Sequence, residues 1–432
     1  MRLSFSKVLY CLGLLTLTCS SLSAQNIETS FSNGTFQADF RTFYFNGSRE
    51  QRQDREALAV GGIFKYTTKA YEGLSAGIGF YTSHDLLHRG SEPTQRINNA
   101  SVSIDTSDIG GNSELVQSNA DAIDTLGEVY LQYDIASTSL RIGRQRLNTP
   151  MLNDYYNRFL PNSFEALSLV NSGIDDTVIT LALVDRWKYK AGEDFKSLTA
   201  SLGVDENLFL IGLENNSLSS VKLSAWYYRL NNVYDTLYTS LQHKELAVLR
   251  GGWKIDGALQ YIKQDASGDK LLGKLDTYLF GAKLTLSQSN FSWTLMTDRI
   301  GNDTIRGSGT DYNNYGFSKF VNFTDIQIDG EALNAGAVSY GTALQYHFSS
   351  NFKSALKYVH IKQNDTMQLA SSTPNKRPSS DEWNIDMSYK TDNAAKLRLR
   401  LAYIDYDKNA IITNEYDEIN LRLIYDFRFQ VN

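Results

Sequence analysis

Along most of the chain, apolar and polar residues alternate one for one. Leu140 and Ile142 share one side and Arg141 and Gly143 the other, which is the period of a strand with two unlike faces. The same pattern puts Phe36, Ala38, Phe40, Thr42 and Tyr44 on one face of a first strand and Gln37, Asp39 and Arg41 on the other. It recurs in LAVGGIFKYT, LSAGIGFYTS, TLGEVYLQYD and SLRIGRQ. Further strands are predicted near 164–171, 177–187, 207–215, 220–230, 234–242, 251–264, 276–287, 290–299, 336–348, 351–363, 382–390, 394–406 and 416–431. The total is about eighteen, an even number as bacterial outer-membrane barrels require. Every second connection is tight, as at Ser289, Asn351 and Asp392, whereas others are long, notably 84–124, 300–335 and 364–381. Short turns on one rim and long loops on the other predict an all-β fold, a transmembrane antiparallel β-barrel. A β-sandwich does not sort its loops this way.

The last strands define the two faces most sharply. Trp383, Ile385, Met387 and Tyr389 form one face; Glu382, Asn384, Asp386 and Ser388 form the other. Ala395, Leu397, Leu399, Leu401 and Tyr403 alternate with Lys396, Arg398 and Arg400. In the final strand Ile419, Leu421, Leu423, Tyr425, Phe427 and Phe429 are expected to face lipid, and Asn420, Arg422, Asp426 and Arg428 the lumen. A charge on the lipid face at mid-membrane costs about 2–4 kcal/mol, so the parity is strongly determined. Barrel closure pairs the last strand with the first. Arg41, Lys353, Lys357, Lys396, Arg398, Arg400, Arg422 and Arg428 are therefore expected to form a basic strip on one inner wall. The alternative is that these charges merely solvate the wall and pair with Asp39, Glu382, Asp386 and Asp426.

One stretch breaks the alternation. Between Leu147 and Ser163 lie two of the chain's five prolines, several Asn and Asp residues, and Tyr155, Tyr156 and Phe159. Strand pattern returns at Phe164, Ala166 and Leu169. A loop of this size with its own packing is usually functional. It is expected to fold into the barrel and narrow it, with Asp154, Tyr155, Tyr156 and Arg158 as candidates for lining the constriction. The aromatics could instead serve to pack the loop against the wall.

Composition supports this picture. Soluble chains of 432 residues ordinarily divide into several domains, with single large barrels as the exception. Tyr 26 and Phe 21 against Pro 5, with mean hydropathy −0.34, suit a wall with one polar face. A net charge of −6 gives no sign of nucleic-acid binding. Both cysteines, Cys11 and Cys19, lie in the first segment, and the five histidines show no zinc-ligand spacing, so no cofactor or metal is expected. His347 and Ser349 share a face, but Tyr346 and Phe348 look lipid-facing. That puts His347 in the lumen and Ser349 at a turn, with no oxyanion arrangement nearby, so no enzyme is expected.

Arg2 and Lys7 precede an apolar run from Val8 to Cys19, then small and polar residues to Ala24. This reads as a signal peptide over 1–24, with the barrel over 25–432. Lipidation at Cys19 is disfavoured because Thr18 precedes it. No later apolar run approaches the ~18 residues of a transmembrane helix.

The run GRQRLNTPMLNDYYNRFLPNSFEA resembles the constriction-loop region of the outer-membrane carboxylate channel porins, the OprD-like family. Its most specific parts are the G-x-x-x-L-x-T-P from Gly143 to Pro150 and NRFLPNSFE from Asn157 to Glu165. GTFQADFRTFYFNG (Gly34 to Gly47) and NEYDEINLRLIYDF (Asn414 to Phe427) agree as well. The resemblance implies passive, partly selective diffusion of small solutes through the bacterial outer membrane, with carboxylate-bearing nutrients as cargo. It also implies a ladder of basic residues opposite the loop, in which LRLRL at 397–401 and Arg422 look like two rungs. Arg158 matches the family's Arg before Leu-Pro, although Phe159 intervenes here. Membrane lipid, lipopolysaccharide and small solutes are the implied partners, for a monomer or homotrimer. The alternative function is a surface adhesin or receptor acting through its long loops.

Overall fold

The alternating segments become strands of one closed sheet in a computed structural model. It describes residues 24–49, 55–89, 95–98, 101–104, 114–117, 121–154, 156–305, 322–327, 333–370, 378–391, 395–407 and 419–431. Most of the expected signal peptide (1–23), Tyr155 and the turn at Asp392 lie outside the described residues. Eighteen long strands make the wall. They are β1 (Thr35–Arg49), β2 (Arg55–Thr67), β3 (Leu74–Arg89), β4 (Ile123–Ile135), β5 (Thr138–Gln145) and β6 (Ser163–Ile174). There follow β7 (Thr177–Lys188), β8 (Leu208–Asn215), β9 (Val221–Leu230), β10 (Tyr234–Val248), β11 (Lys254–Ala266) and β12 (Asp276–Gln288). The wall ends with β13 (Phe291–Ile300), β14 (Val338–His347), β15 (Phe352–Lys362), β16 (Ser380–Lys390), β17 (Ala395–Tyr406) and β18 (Ile419–Val431). A stub at Phe195–Ser197 also pairs with β7.

Each strand pairs antiparallel with the next, and β18 returns to β1 from Ala38↔Val431 to Gly47↔Arg422. Closure leaves no unpaired edge, which a sheet in hydrocarbon cannot tolerate. Mid-strand Leu131, Leu241, Leu284, Leu295 and Leu356 all point outward and are exposed. So continuous an apolar surface would be untenable in water, and it marks the band that meets lipid. The predicted faces of the last strands hold: Trp383, Met387, Tyr389, Leu399, Tyr403, Tyr425 and Phe427 are exposed on the outside, whereas Glu382, Asn384, Arg400 and Asp426 are buried within.

The tight turns share one rim. Asp175 and Asp176 alone join β6 to β7, with Asp176 in the left-handed region at φ 54. Near the same rim a helix, α1 (Ala24–Ser32), meets the β2–β3 turn, where Lys69 N–H donates to the Ser30 carbonyl at 3.0 Å. The opposite rim is less uniform than expected, since β9 and β10 are joined by three residues, Asn231 to Val233. Its longer connections also turn inward. Leu115, from the β3–β4 connection, packs against Tyr81 and Ile123 and is fully buried. Phe43 and Phe45 are buried on the inner face beside Arg41, and Tyr81 and Tyr228 are buried elsewhere on that face. What they meet inside is the loop between β5 and β6.

This topology is checked by labelling intact cells with a membrane-impermeant maleimide. Leu369→Cys, exposed on the long-loop rim, should react above the wild-type background. Ser350→Cys, on the β14–β15 turn, should react only after the cells are broken. The reverse pattern would invert the barrel.

Candidate functional site

The β5–β6 connection, Arg146 to Asn162, crosses the lumen because it carries an apolar anchor at each end. Gly143 in β5 prepares its departure: at φ 120 a side chain would meet the Val129 carbonyl oxygen 2.3 Å away. Leu147, Met151 and Leu152 then pack on Phe164, Val184 and Tyr228. Thr149 folds the chain there, its hydroxyl donating to the Leu152 carbonyl at 2.6 Å and accepting from Tyr228 at 3.1 Å. At the other end Phe159 and Leu160 bury against Phe43, Phe45, Tyr81 and Ile424. Arg146 and Asp154 close the base, with Nε 2.8 Å from Oδ2.

Polar clasps complete what packing begins. Arg41 reaches across the β1–β18 seam to Asp426, with Nε–Oδ1 at 2.6 Å and Nη2–Oδ2 at 2.7 Å. Its Nη1 donates to the loop carbonyls of Arg158 and, at 2.9 Å, Phe159. Arg400 Nη2 donates to the Asn157 carbonyl at 3.2 Å. Two neighbouring connections join at Glu114, whose carboxylate lies 2.7 Å from Lys190 Nζ and 3.3 Å from Arg158 Nε. Lys190 also donates to Asn157 Oδ1 at 2.9 Å. Burial by itself would raise the Glu114 carboxyl, but Lys190 and Arg158 hold it down at about 2.

The expected constriction residues therefore take different places. Asp154 is tied to Arg146. Arg158 is buried against Glu114 and is part of the clasp. Tyr156 donates to Asp39 Oδ2 at 3.0 Å, and its ring lies 5.0, 5.1 and 4.3 Å from Arg41, Arg146 and Arg428. It thus packs the loop against the basic wall.

A second segment folds inward where sequence placed only an outer loop. Thr324 N–H and hydroxyl each donate to Asp298 Oδ2 at 2.7 Å, and Gln327 N–H donates to Glu382 Oε1 at 2.7 Å. Ile326 packs on Val359 and Ile361. Asp298 and Glu382 are inward-facing and buried, and backbone N–H groups are the partners such acids need. Residues 322–327 therefore line the wall of β13 to β16. Lys357 stands with them, its ammonium donating to the Asp325 carbonyl.

The other basic residues form a row. Lys390, Lys396, Arg428 and Arg41 are consecutive register partners across β16, β17, β18 and β1. At the ordinary spacing of about 4.8 Å between strands, four cations stand side by side from the tight-turn rim to the loop clasp. The next row holds Lys353, Ser388, Arg398 and Asp426. Arg398 pairs with Asp386 (Nε–Oδ1 3.0 Å) and Arg428 with Asp426 (3.4 Å). Lys353, Lys390 and Lys396 have no ion pair among the described residues. Arg422 lies opposite Gly47 and Ala402 by its backbone, and its side chain is outside the described residues. Like charges directly opposite one another destabilise a sheet, so folding accounts for Arg41 and Arg428, which Asp426 holds, but not for Lys390 and Lys396. Lys390 is absent from the expected basic strip, although extending the Trp383–Tyr389 alternation by one residue places it inward.

The sequence profile of the outer membrane porins of the OprD family matches residues 31–431. No curated protein matches the chain. Among solved structures it is similar to OpdK of Pseudomonas aeruginosa, at 16% identity and TM-score 0.71 over 93% of this chain and 99% of that one. It is similar also to OccK9 (OpdG) of Pseudomonas aeruginosa, at 18% identity and TM-score 0.75 over 93% and 100%. OccAB2 of Acinetobacter baumannii follows the same path at 17% identity and TM-score 0.73 over 93% and 99%.

The Glu114 clasp has a pH signature. Its folded-state value of about 2 lies below the ordinary 4.5, so its stabilisation is full above pH 4.5 and is lost as pH falls through about 2. Single-channel recordings should stay quiet at neutral pH and become noisy as the pH is lowered from 4.5 towards 2. Glu114→Gln should be noisy throughout, with no acid step from this clasp.

Proposed function

The chain belongs to the OprD family of outer membrane porins, and we propose that it is a passive channel favouring small carboxylate-bearing solutes. It is an outer-membrane β-barrel that serves as a channel for small solutes. Family and fold are those of a non-enzymatic protein. The observation that carries carboxylate preference is the row Lys390–Lys396–Arg428, which leads to Arg41 where that residue holds the constriction loop. A solute anion moving along it would pass between cations about one strand spacing apart. It need not bind tightly to any one of them, which is what rapid conduction demands. A crystal structure of the similar OpdK was solved with vanillate, itself an aromatic carboxylate.

Tyr156 and the 157–159 backbone would supply one lip of the constriction, and residues 322–327 the other. Export through a signal peptide over 1–24 completes the proposal, with lipid and lipopolysaccharide against the outer band. Nothing in the geometry favours the receptor alternative.

The test is Lys390→Glu with Lys396→Glu, chosen because both side chains are exposed and neither holds the loop. The barrel should assemble, since lumen positions tune selectivity more than stability. Reversal potential in planar bilayers should shift towards cations, and uptake of an anionic nutrient should slow. Both effects should shrink in molar salt, where screening shortens to about 3 Å. Unchanged selectivity in an assembled double mutant would overturn the basic-row mechanism. Absence of any wild-type conductance would overturn the channel itself.

A further inference from the structure

Behind the constriction loop, the wall holds polar groups that the row does not explain. Arg400 is 7% exposed and Asn384 5% exposed. Both Asn384 amide atoms and Arg400 Nε are buried without a hydrogen-bond partner. The two residues are diagonal inward neighbours, since Asn384 lies opposite Ala402 and Asp386 opposite Arg400. The small Ala402 on β17 stands at one corner between them and Asp386 on β16 at the other. On one side Arg400 donates to Asn157 of the constriction loop; on the other, Glu382 accepts from Gln327 of the second inward segment. The niche thus lies between the two segments that narrow the lumen.

The charge balance there is incomplete. A guanidinium remains charged in any protein environment, and buried charges are ordinarily paired. Arg400 has no carboxylate within ion-pair distance among the described residues. Asp386 is taken by Arg398, and Asp426 by Arg41 and Arg428. Arg158 and Arg398, its other charged neighbours, are themselves cationic.

We propose that this niche is a site for a resident small anion, a halide or a carboxylate head, held by Arg400 Nε and the Asn384 amide. Both groups are donors, and an anion between them would neutralise the guanidinium that grips the loop. The remaining amide oxygen would accept from a water carried in with the anion. Such an ion would help to pin the loop at Asn157, so the medium's anion would set how firmly the constriction is held. The site differs from the open lysines Lys353, Lys390 and Lys396, which face water and serve passage. It stands on burial and unpaired donors, independently of what the channel carries.

The test compares the purified wild-type barrel with Asn384→Leu, which removes the donors at similar size, and Asn384→Asp, which builds an anion into the chain. Melting is followed at equal ionic strength in chloride, bromide, acetate and the bulky anion gluconate. Wild type should melt several degrees higher in one or more of the small anions than in gluconate. Asn384→Leu should lose that dependence at the low value, and Asn384→Asp should lose it at the high one. Crystals grown in bromide should show an anomalous peak within hydrogen-bonding distance of Arg400 Nε, and those grown in acetate a carboxylate. Bromide occupancy alone would identify a halide of the medium; acetate alone would identify a carboxylate site. If neither occupies the niche in wild-type crystals, the proposal falls, whatever the variants do. It falls also if wild-type melting ignores the anion and Asn384→Asp is destabilised. Neither outcome bears on the conductance and reversal-potential measurements that decide the channel reading.

Discussion

The Arg41 guanidinium occupies the point on which the barrel's interior depends. It sits at the seam where the first strand meets the last, binds Asp426 through two nitrogens, and turns its third to the backbone of the constriction loop. The two side chains are 1% and 6% exposed, so neither charge could be left unpaired without a cost of about 3–5 kcal/mol. A lysine could not substitute, because only the planar fork of five donors serves a carboxylate and two carbonyls at once. Seam and loop are in this way tied together: an error in closing the barrel would also release the loop that narrows it.

The interior uses its charges in two distinct ways. One set holds inward-folded backbone in place: Arg41, Arg158, Lys190 and Glu114 on the constriction side, Asp298, Glu382 and Lys357 on the other. These groups are largely removed from water and are matched to carbonyls, N–H groups or opposite charges, as buried polar groups must be. The second set, Lys353, Lys390 and Lys396, remains in the water of the lumen without ion partners among the described residues. This set, together with the partly exposed Arg428 beside Asp426, is what can act on a passing solute. Most apparent candidates for selectivity thus turn out to be fixtures, and the structure distinguishes the two by burial rather than by residue type.

Strand periodicity was legible throughout, since a wall with lipid on one side and water on the other forces apolar and polar residues to alternate. Lumen parity of Lys396, Arg398, Arg400, Asp426 and Arg428 followed directly, as did the pairing of first strand with last. The motif from Gly143 to Glu165 marked the constriction loop because its prolines and aromatics interrupt that alternation. What the loop's side chains do was not legible. Arg158 reads as a pore cation and is a clasp for Glu114; Tyr156 reads equally as a lining residue or as packing for the loop, and only the fold brings its ring against Arg41, Arg146 and Arg428.

Residues 322–327 were read as outer loop because hydrophilic loop sequence is the same whether it meets water or a buried carboxylate. Their place was decided by Asp298 and Glu382, distant in sequence and brought within hydrogen-bond reach only when the sheet closed. The row from Lys390 to Arg41 has the same origin, since its two ends lie at opposite ends of the chain. Alternation, a local property, was enough to determine the barrel and the face on which each residue sits. Which charges meet one another across the lumen depends on register and closure, which set distances that no local pattern contains.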